Sequence, residues 1–359
     1  MKRWLILAAS VLMVLGLVVM AACAPAAPPT EEKPYAGVTV HAQMWGGPEG
    51  AAIQKCIVQP WEEETGAKLA VEIGGTSDSI AKVMAQKADP LLDITYMDGR
   101  GAAELGVEGL LEVLDTKKIP NMAEIHPNFI VPGGYGVGFA IAETGLAYQP
   151  DLVEEPVDSL EILFDPQYAG KVVLPTFEGS EMHILLVKLA EMSGGSIYDI
   201  EPGLAKFAEL KPQVLTQTGD VATVMELMKE GDAAFHYTYT TVLQAYVAKG
   251  YPVVIVPGGD LKEGTYAEIM CNAIVKGHKA PAELVEALVN RAMSREAQAC
   301  LAGELLLGVP NRYAELESEL ADKVVNGDEE LARVKLMPYD YWREVREEWT
   351  EGMHEIWGE

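Results

Sequence analysis

Basic residues are scarce in this 359-residue chain: 27 Lys and Arg stand against 54 Asp and Glu, for a formal charge of −27. A phosphate backbone repels such a surface, and no Lys/Arg stripe interrupts it, so a nucleic-acid partner is excluded. Cysteine is rare, at four residues, with no CxxC and no zinc-finger spacing. The six histidines are scattered, and no HExxH or HxH sets two imidazoles on one metal. Glu181 and His183, two apart on an expected helix, point in different directions and make a poor ligand pair. Also missing are the P-loop GxxxxGK[ST], the GxGxxG dinucleotide fingerprint and the GxSxG nucleophile elbow. Together these absences argue against an enzyme and against any nucleotide, metal or other cofactor. No repeat with a period of roughly 20 to 50 residues is visible, which removes solenoids and propellers.

One long uncharged run does occur, from Trp4 to Met20 behind Lys2 and Arg3, and it reads as a secretory signal. It ends at Met20-Ala21-Ala22-Cys23, which resembles the lipobox of bacterial lipoproteins. That resemblance implies a signal peptide over residues 1–22 and a lipid on Cys23 as the new N-terminus. The protein would then be lipid-anchored to the cell envelope, in the periplasm or on the outer face of the cytoplasmic membrane. Residues 23–35 are rich in proline and read as a semi-rigid tether. Three cysteines remain, Cys56, Cys271 and Cys300, and an odd number cannot all pair within one chain. Export permits a disulfide between two of them, but buried free thiols are the expectation.

A core rarely grows past roughly 250 to 300 residues, so the length implies two packed units. Val38, Val40 and Ala42 alternate as a half-buried strand does, and the run stops at Met44-Trp45-Gly46-Gly47-Pro48. A helix carrying Ile53, Ile57, Val58 and Trp61 follows, then a strand at 69–73, a helix with Ile80, Val83 and Met84, and a strand at 92–97. Such β-α-β-α-β order predicts a largely parallel sheet with helices on its faces. After the glycine-rich stretch 133–138 a second series runs through strands at 145–148, 172–174 and 233–236, with helices at 181–193 and 221–230. Near the C-terminus Trp342, Val345, Trp349, Met353, Ile356 and Trp357 form one apolar stripe on a helix with glutamates on its other faces, the pattern of a helix docked over a domain core.

The phrases Gln59-Pro60-Trp61-Glu62-Glu63-Glu64-Thr65-Gly66, Glu108-Gly109-Leu110-Leu111-Glu112-Val113-Leu114-Asp115, Phe164-Asp165-Pro166-Gln167-Tyr168-Ala169-Gly170-Lys171-Val172 and Gly231-Asp232-Ala233-Ala234 occur in that order. In this the chain resembles the extracellular solute-binding proteins of bacterial ABC importers, of the type II periplasmic-binding fold that includes polyamine and ferric-iron binders. The resemblance spans residues 36 to 359. It implies two α/β Rossmann-like lobes joined by two crossover strands, near 139–144 and 268–274, with the ligand in the cleft between them. The implied limits are 36–141 with 270–312 for lobe 1, and 142–269 with the C-terminal helices 313–359 for lobe 2. The implied partners are a small-molecule solute and the permease subunits of the importer, with the binding protein itself a monomer and the membrane reached through the lipid alone.

The resemblance also assigns candidate ligand contacts. Trp45 and Tyr239 match aromatic positions, Asp98 and Arg100 match two contacts after the third strand, and Glu181 matches an acidic contact; Thr240 and Glu268 complete the set. Trp45 and Tyr239 are π-faces for a cation or apolar stem, or core aromatics. Asp98 and Glu181 neutralise an ammonium, or cap helices. Arg100 clamps an anion, or pairs with a neighbouring acid. The central acid and aromatic of polyamine binders fall on Met270 and Glu268, and a later tyrosine falls on Leu307. Ferric binders use adjacent tyrosines, whereas Tyr237-Thr238-Tyr239 is expected not to present two phenolates together. The expected ligand is therefore a small polar organic solute, polyamine-like or otherwise charged. The alternatives are a ferric-iron or oxyanion binder, and, from another class, an extracytoplasmic hydrolase.

Overall fold

A computed structural model describes residues 33–153 and 156–358. The expected signal peptide, Cys23 and most of the tether lie outside the described residues.

Strand β1 (Thr39–Met44) lies between β2 (Lys68–Ile73) and β3 (Ile94–Asp98), and all three run parallel. Helices α1 (Gly47–Ile53) and α2 (Gln59–Thr65), joined by a π-helical turn at Gln54–Val58, connect β1 to β2. Helix α3 (Thr76–Ala85) connects β2 to β3, and α4 (Gly99–Val107) follows β3 directly. The strand stops before the Gly-Gly-Pro stretch as expected; Gly46 is the N-cap of α1, and Gly47 and Pro48 open it. Proline in a first turn loses no hydrogen bond, because the N–H groups there have no helical acceptor.

In the other half β5 (Val172–Leu174) lies parallel between β6 (Val214–Gln217) and β7 (Phe235–Tyr239). Helices α5 (Ser180–Met192) and α6 (Glu201–Leu210) separate β5 from β6, α7 (Val221–Glu230) leads to β7, and α8 (Thr240–Val247) leads to β8 (Val254–Pro257). Gly231 ends α7 at φ 80°, a left-handed conformation that favours glycine.

The halves are joined by β4 (Val137–Tyr148) and β9 (Ala267–Ile274). Val137 to Glu143 of β4 pair antiparallel with β9, and Thr144 to Tyr148 pair with β7, so one strand serves both halves. The expected crossover and the expected strand at 145–148 are thus a single element. Strand β9 in turn pairs antiparallel with β3. Helices α9 (Ala282–Ala292) and α10 (Arg295–Leu305) return to the first half, where α9 packs on β9 and α10 on α1. Short helices α11 (Ser318–Ala321) and α12 (Gly327–Leu331) precede the long α13 (Tyr339–Trp357).

Two expectations need correction. Cys56 and Cys300 form a disulfide with Cα atoms 5.7 Å apart, and among the described residues only Cys271 remains a buried free thiol. The partners are 244 residues apart in sequence, on the π-helical turn and on α10; only the return of the chain to the first half brings them together. The C-terminal stripe does bury Trp342, Trp349 and Met353, but α13 packs on α4 of the first half as well as on α5 and α6 of the second. It spans two cores rather than covering one.

Candidate functional site

The ends of β3, β7 and β9 meet the first turns of α4, α5 and α13. Asp98 closes β3 and caps α4: its Oδ1 accepts the Gly101 N–H at 2.9 Å, while its own N–H donates to Thr76 Oγ1 at 3.1 Å. Two residues on, the Arg100 guanidinium is buried, with Nη2 3.8 Å from Asp98 and Nη1 3.6 Å from Glu104. Glu104 is shared, since Arg346 of α13 reaches it at 3.3 Å. Burial alone would lower the Arg100 pKa, but Asp98, Glu268, Glu104 and Tyr239 around it outweigh that and raise it, so Arg100 stays charged.

Glu268 on β9 is 3% exposed, and neither carboxylate oxygen has a well-formed hydrogen bond. Burial, reinforced by Asp98, pushes its pKa well above the carboxylate range against the pull of Arg100. Glu181, in the first turn of α5, is raised by burial and then by Asp98. Tyr239, at the end of β7, shares a face with Glu268. Their β4 partners are Thr144 and Ala142, and residues two apart on a strand point the same way. The Tyr239 phenol is raised well above its usual value by burial, then by Glu268, Glu181 and Asp98. Asp98, Arg100, Glu181, Tyr239 and Glu268 thus form one electrostatic cluster drawn from both halves and from a crossover strand.

The other two expected residues carry no titratable group. Trp45 follows β1, half-buried against the core, and no ring contact among the described residues joins it to Tyr239. Thr240 begins α8, and its hydroxyl donates to the Glu143 carbonyl at 3.3 Å, a backbone tie. Tyr237 and Tyr239 share a face, contrary to the spacing argument, because alternate strand residues do. Tyr237 is nonetheless committed: its hydroxyl and Thr144 Oγ1 are 2.7 Å apart, and Thr144 in turn bonds Thr265 at 2.6 Å. Among the described residues no group of three or more His, Cys, Asp or Glu is placed to hold a metal ion.

Sequence reasoning missed Glu104 and the α13 residues Tyr339 and Arg346. Tyr339 stands three residues before Trp342, in phase with the apolar stripe, so its hydroxyl was hidden in a packing signal. The Arg100 and Glu104 spacing of i, i+4 was the one legible hint of that pair.

Parallel α/β halves joined by two crossing strands, with a charged cluster where strand ends from both meet, define a two-lobed binding protein. The family model for the bacterial extracellular solute-binding protein matches residues 57–326, and the chain belongs to that family. No curated protein sequence matches it. The fold is shared with solved ABC-transporter substrate-binding proteins. The spermidine/putrescine ABC transporter substrate-binding protein PotD from Streptococcus pneumoniae superposes with a TM-score of 0.71 at 18% identity, over 89% of this chain and 99% of that one. Iron-bound HitA from Pseudomonas aeruginosa gives 0.71 at 18% identity, again over 89% and 99%. AfuA from Actinobacillus pleuropneumoniae, with fructose-6-phosphate bound, gives 0.68 at 20% identity, over 89% and 98%.

Proposed function

We propose that this protein is the substrate-binding subunit of an ABC importer, and that it captures a small organic cation between its lobes for delivery to the permease. The observation that carries this reading is Glu268, a carboxylate buried on a crossover strand with neither oxygen in a well-formed hydrogen bond. A buried acceptor of that kind calls for N–H donors. Asp98 and Glu181 add acceptors of the same sign, whereas the Arg100 guanidinium is already engaged by Asp98 and Glu104. An amine supplies donors and the balancing charge; an anion would have to displace both acids from Arg100. The relatives of like fold bind, by their names, polyamine, iron and sugar phosphate, so fold alone does not choose among these classes.

Binding rather than hydrolysis is supported by His183, the histidine nearest Ser180 in sequence. Both of its ring nitrogens are committed, to Trp342 and Thr350. The reading includes lobes of 36–141 with 270–312 and 142–269 with 313–359, α13 lying against both. It also includes lipid attachment at Cys23, a monomeric state and no resident cofactor.

Native mass spectrometry of gently purified protein should show a bound species of amine mass. Calorimetry with putrescine, spermidine and fructose 6-phosphate should give heat with an amine. Tight binding of fructose 6-phosphate that survives Glu268→Gln would overturn the cationic reading.

A further inference from the structure

We propose that Tyr339 of the C-terminal helix lines the ligand cleft and contacts the solute beside Glu268. The inference rests on reading the cleft as the solute site, and it assigns a contact to a segment beyond residue 326, where the family match ends.

Main-chain bonding places Tyr339 with precision. The Ala267 N–H donates to the Lys335 carbonyl at 2.8 Å, and Ala267 forms a parallel bridge with Leu336. The approach to α13 is thereby stitched to the crossover strand one residue before Glu268. The Trp342 N–H then closes the first turn on the Pro338 carbonyl at 2.9 Å. At the far side of the ring, Gly99 opens α4 without a side chain: a Cβ there would lie 2.4 Å from the Tyr339 hydroxyl. The absent methyl is the space the hydroxyl occupies.

A tyrosine held this firmly for packing alone would have its hydroxyl paired. Tyr339 is 6% exposed, yet its hydroxyl completes no well-directed hydrogen bond. The same is true of both Glu268 oxygens, the Tyr239 hydroxyl and Arg100 Nη1. Polar atoms left over in this number around one point are uncommon in a folded interior and mark a place completed by another molecule. Tyr339 and Glu268 lie near enough to interact: burial and then Glu268 push the Tyr339 phenol up, while Tyr339 pulls the Glu268 pKa down against the burial that raises it. A phenol at the edge of an acidic site offers an amine both a hydroxyl acceptor and an aromatic face.

Substituted-cysteine labelling tests this without knowing the solute. Tyr339→Cys is made in the full chain together with Cys271→Ala, which removes the buried free thiol. The variant is treated with a trimethylammonium-ethyl and, separately, a sulfonatoethyl methanethiosulfonate, and modification is mapped by mass to residue 339. A cleft-lining position in an acidic site should react with the cationic reagent faster by on the order of tenfold. Equal rates with both reagents would keep Tyr339 in the cleft and sink the cationic reading instead. No labelling at 339 by either reagent under native conditions would overturn the inference. So would loss of cooperative unfolding in both Tyr339→Cys and Tyr339→Phe, which would make the residue a core element.

Discussion

Trp342 donates its indole N–H to Nδ1 of His183 across 2.9 Å, tying the C-terminal helix α13 to α5. An indole nitrogen can only donate, so Nδ1 is the acceptor and the proton sits on Nε2. That nitrogen lies 2.9 Å from Thr350 Oγ1, whose own hydroxyl donates to the Arg346 carbonyl at 3.0 Å. Every proton in the chain has one place to go, and the imidazole is neutral. Arg346 also binds Glu104, so the same helix that fixes His183 in one lobe holds the partner of Arg100 in the other.

Burial, with Arg100 and Arg346 adding repulsion, pushes the His183 pKa down to about 3. A histidine whose folded pKa is depressed adds stability above its ordinary value of 6.5, and that stability is lost as pH falls toward 3. At full protonation the loss is on the order of 5 kcal/mol. Glu268, raised by burial, works in the opposite direction, so the comparison is with His183→Gln, whose amide can accept from Trp342 and donate to Thr350 without titrating. The stability difference between the parent and this variant should change between pH 6.5 and 4, with the parent losing ground as pH falls. Nitrogen NMR showing the Nδ1–H tautomer, or titration near 6.5, would refute the assignment.

The Cys56–Cys300 disulfide closes a loop of 244 residues that contains both crossover strands and every strand of the second half. Cross-links of this span stabilise mainly by restricting the unfolded chain, typically by about 2 to 5 kcal/mol. The double variant Cys56→Ala, Cys300→Ala should therefore unfold at lower urea than the parent, and reductant should shift the parent alone. Alkylation of unreduced, unfolded protein that labels Cys56 or Cys300 to the same extent as Cys271 would contradict the bond.

Much of the fold was legible because local pattern and fold agree. Val40 and Ala42 alternate as the buried face of β1 does, and Gly231 stops α7 where a left-handed residue is needed. What sequence could not show was decided over long separations. β6 and β8 are short edge strands with exposed residues and carry no clean alternation. Cys56 and Cys300, or Glu268 and Tyr339, are neighbours only after the chain has crossed between halves twice. Of the cluster, Asp98, Arg100, Glu181, Tyr239 and Glu268 were found through strand ends and family likeness. Trp45 and Thr240 occupy similar strand ends; Trp45 packs half-buried against the core, and the Thr240 hydroxyl ties to the Glu143 carbonyl.

Gly99→Ala tests the close approach of α13 to α4. Alanine is the better helix former by about 1 kcal/mol, but its Cβ would lie 2.4 Å from the Tyr339 hydroxyl and 2.5 Å from Ile269 Cγ1. Overpacking of this kind costs about 1 to 3 kcal/mol and should win. The expected result is a lower melting temperature. A variant more stable than the parent would show that the contact relaxes freely.

The proposed lipid attachment at Cys23 rests on the lipobox-like tetrad Met20-Ala21-Ala22-Cys23 and the proline-rich stretch behind it. Cys23→Ser should move the protein from the membrane fraction to the soluble one. Continued membrane association of that variant would remove the lipid from the account.

Variants of Glu268 and Arg100 test the proposed charge of the solute in opposite ways. Glu268→Gln keeps the shape and removes the charge, so an amine that binds the parent should bind about 2 to 4 kcal/mol more weakly, roughly 30- to 1000-fold. Arg100→Gln frees Asp98 and Glu104 and removes a like charge, so binding of the same amine should be kept or improved, whereas an anion would be lost. Because the Glu268 pKa is raised in the free protein and an ammonium favours its ionised form, binding should release a proton and weaken as pH falls. Calorimetry in two buffers of different ionisation enthalpy reads that proton directly. Amine binding without proton release, and with Glu268→Gln equal to the parent, would place the solute elsewhere in the molecule.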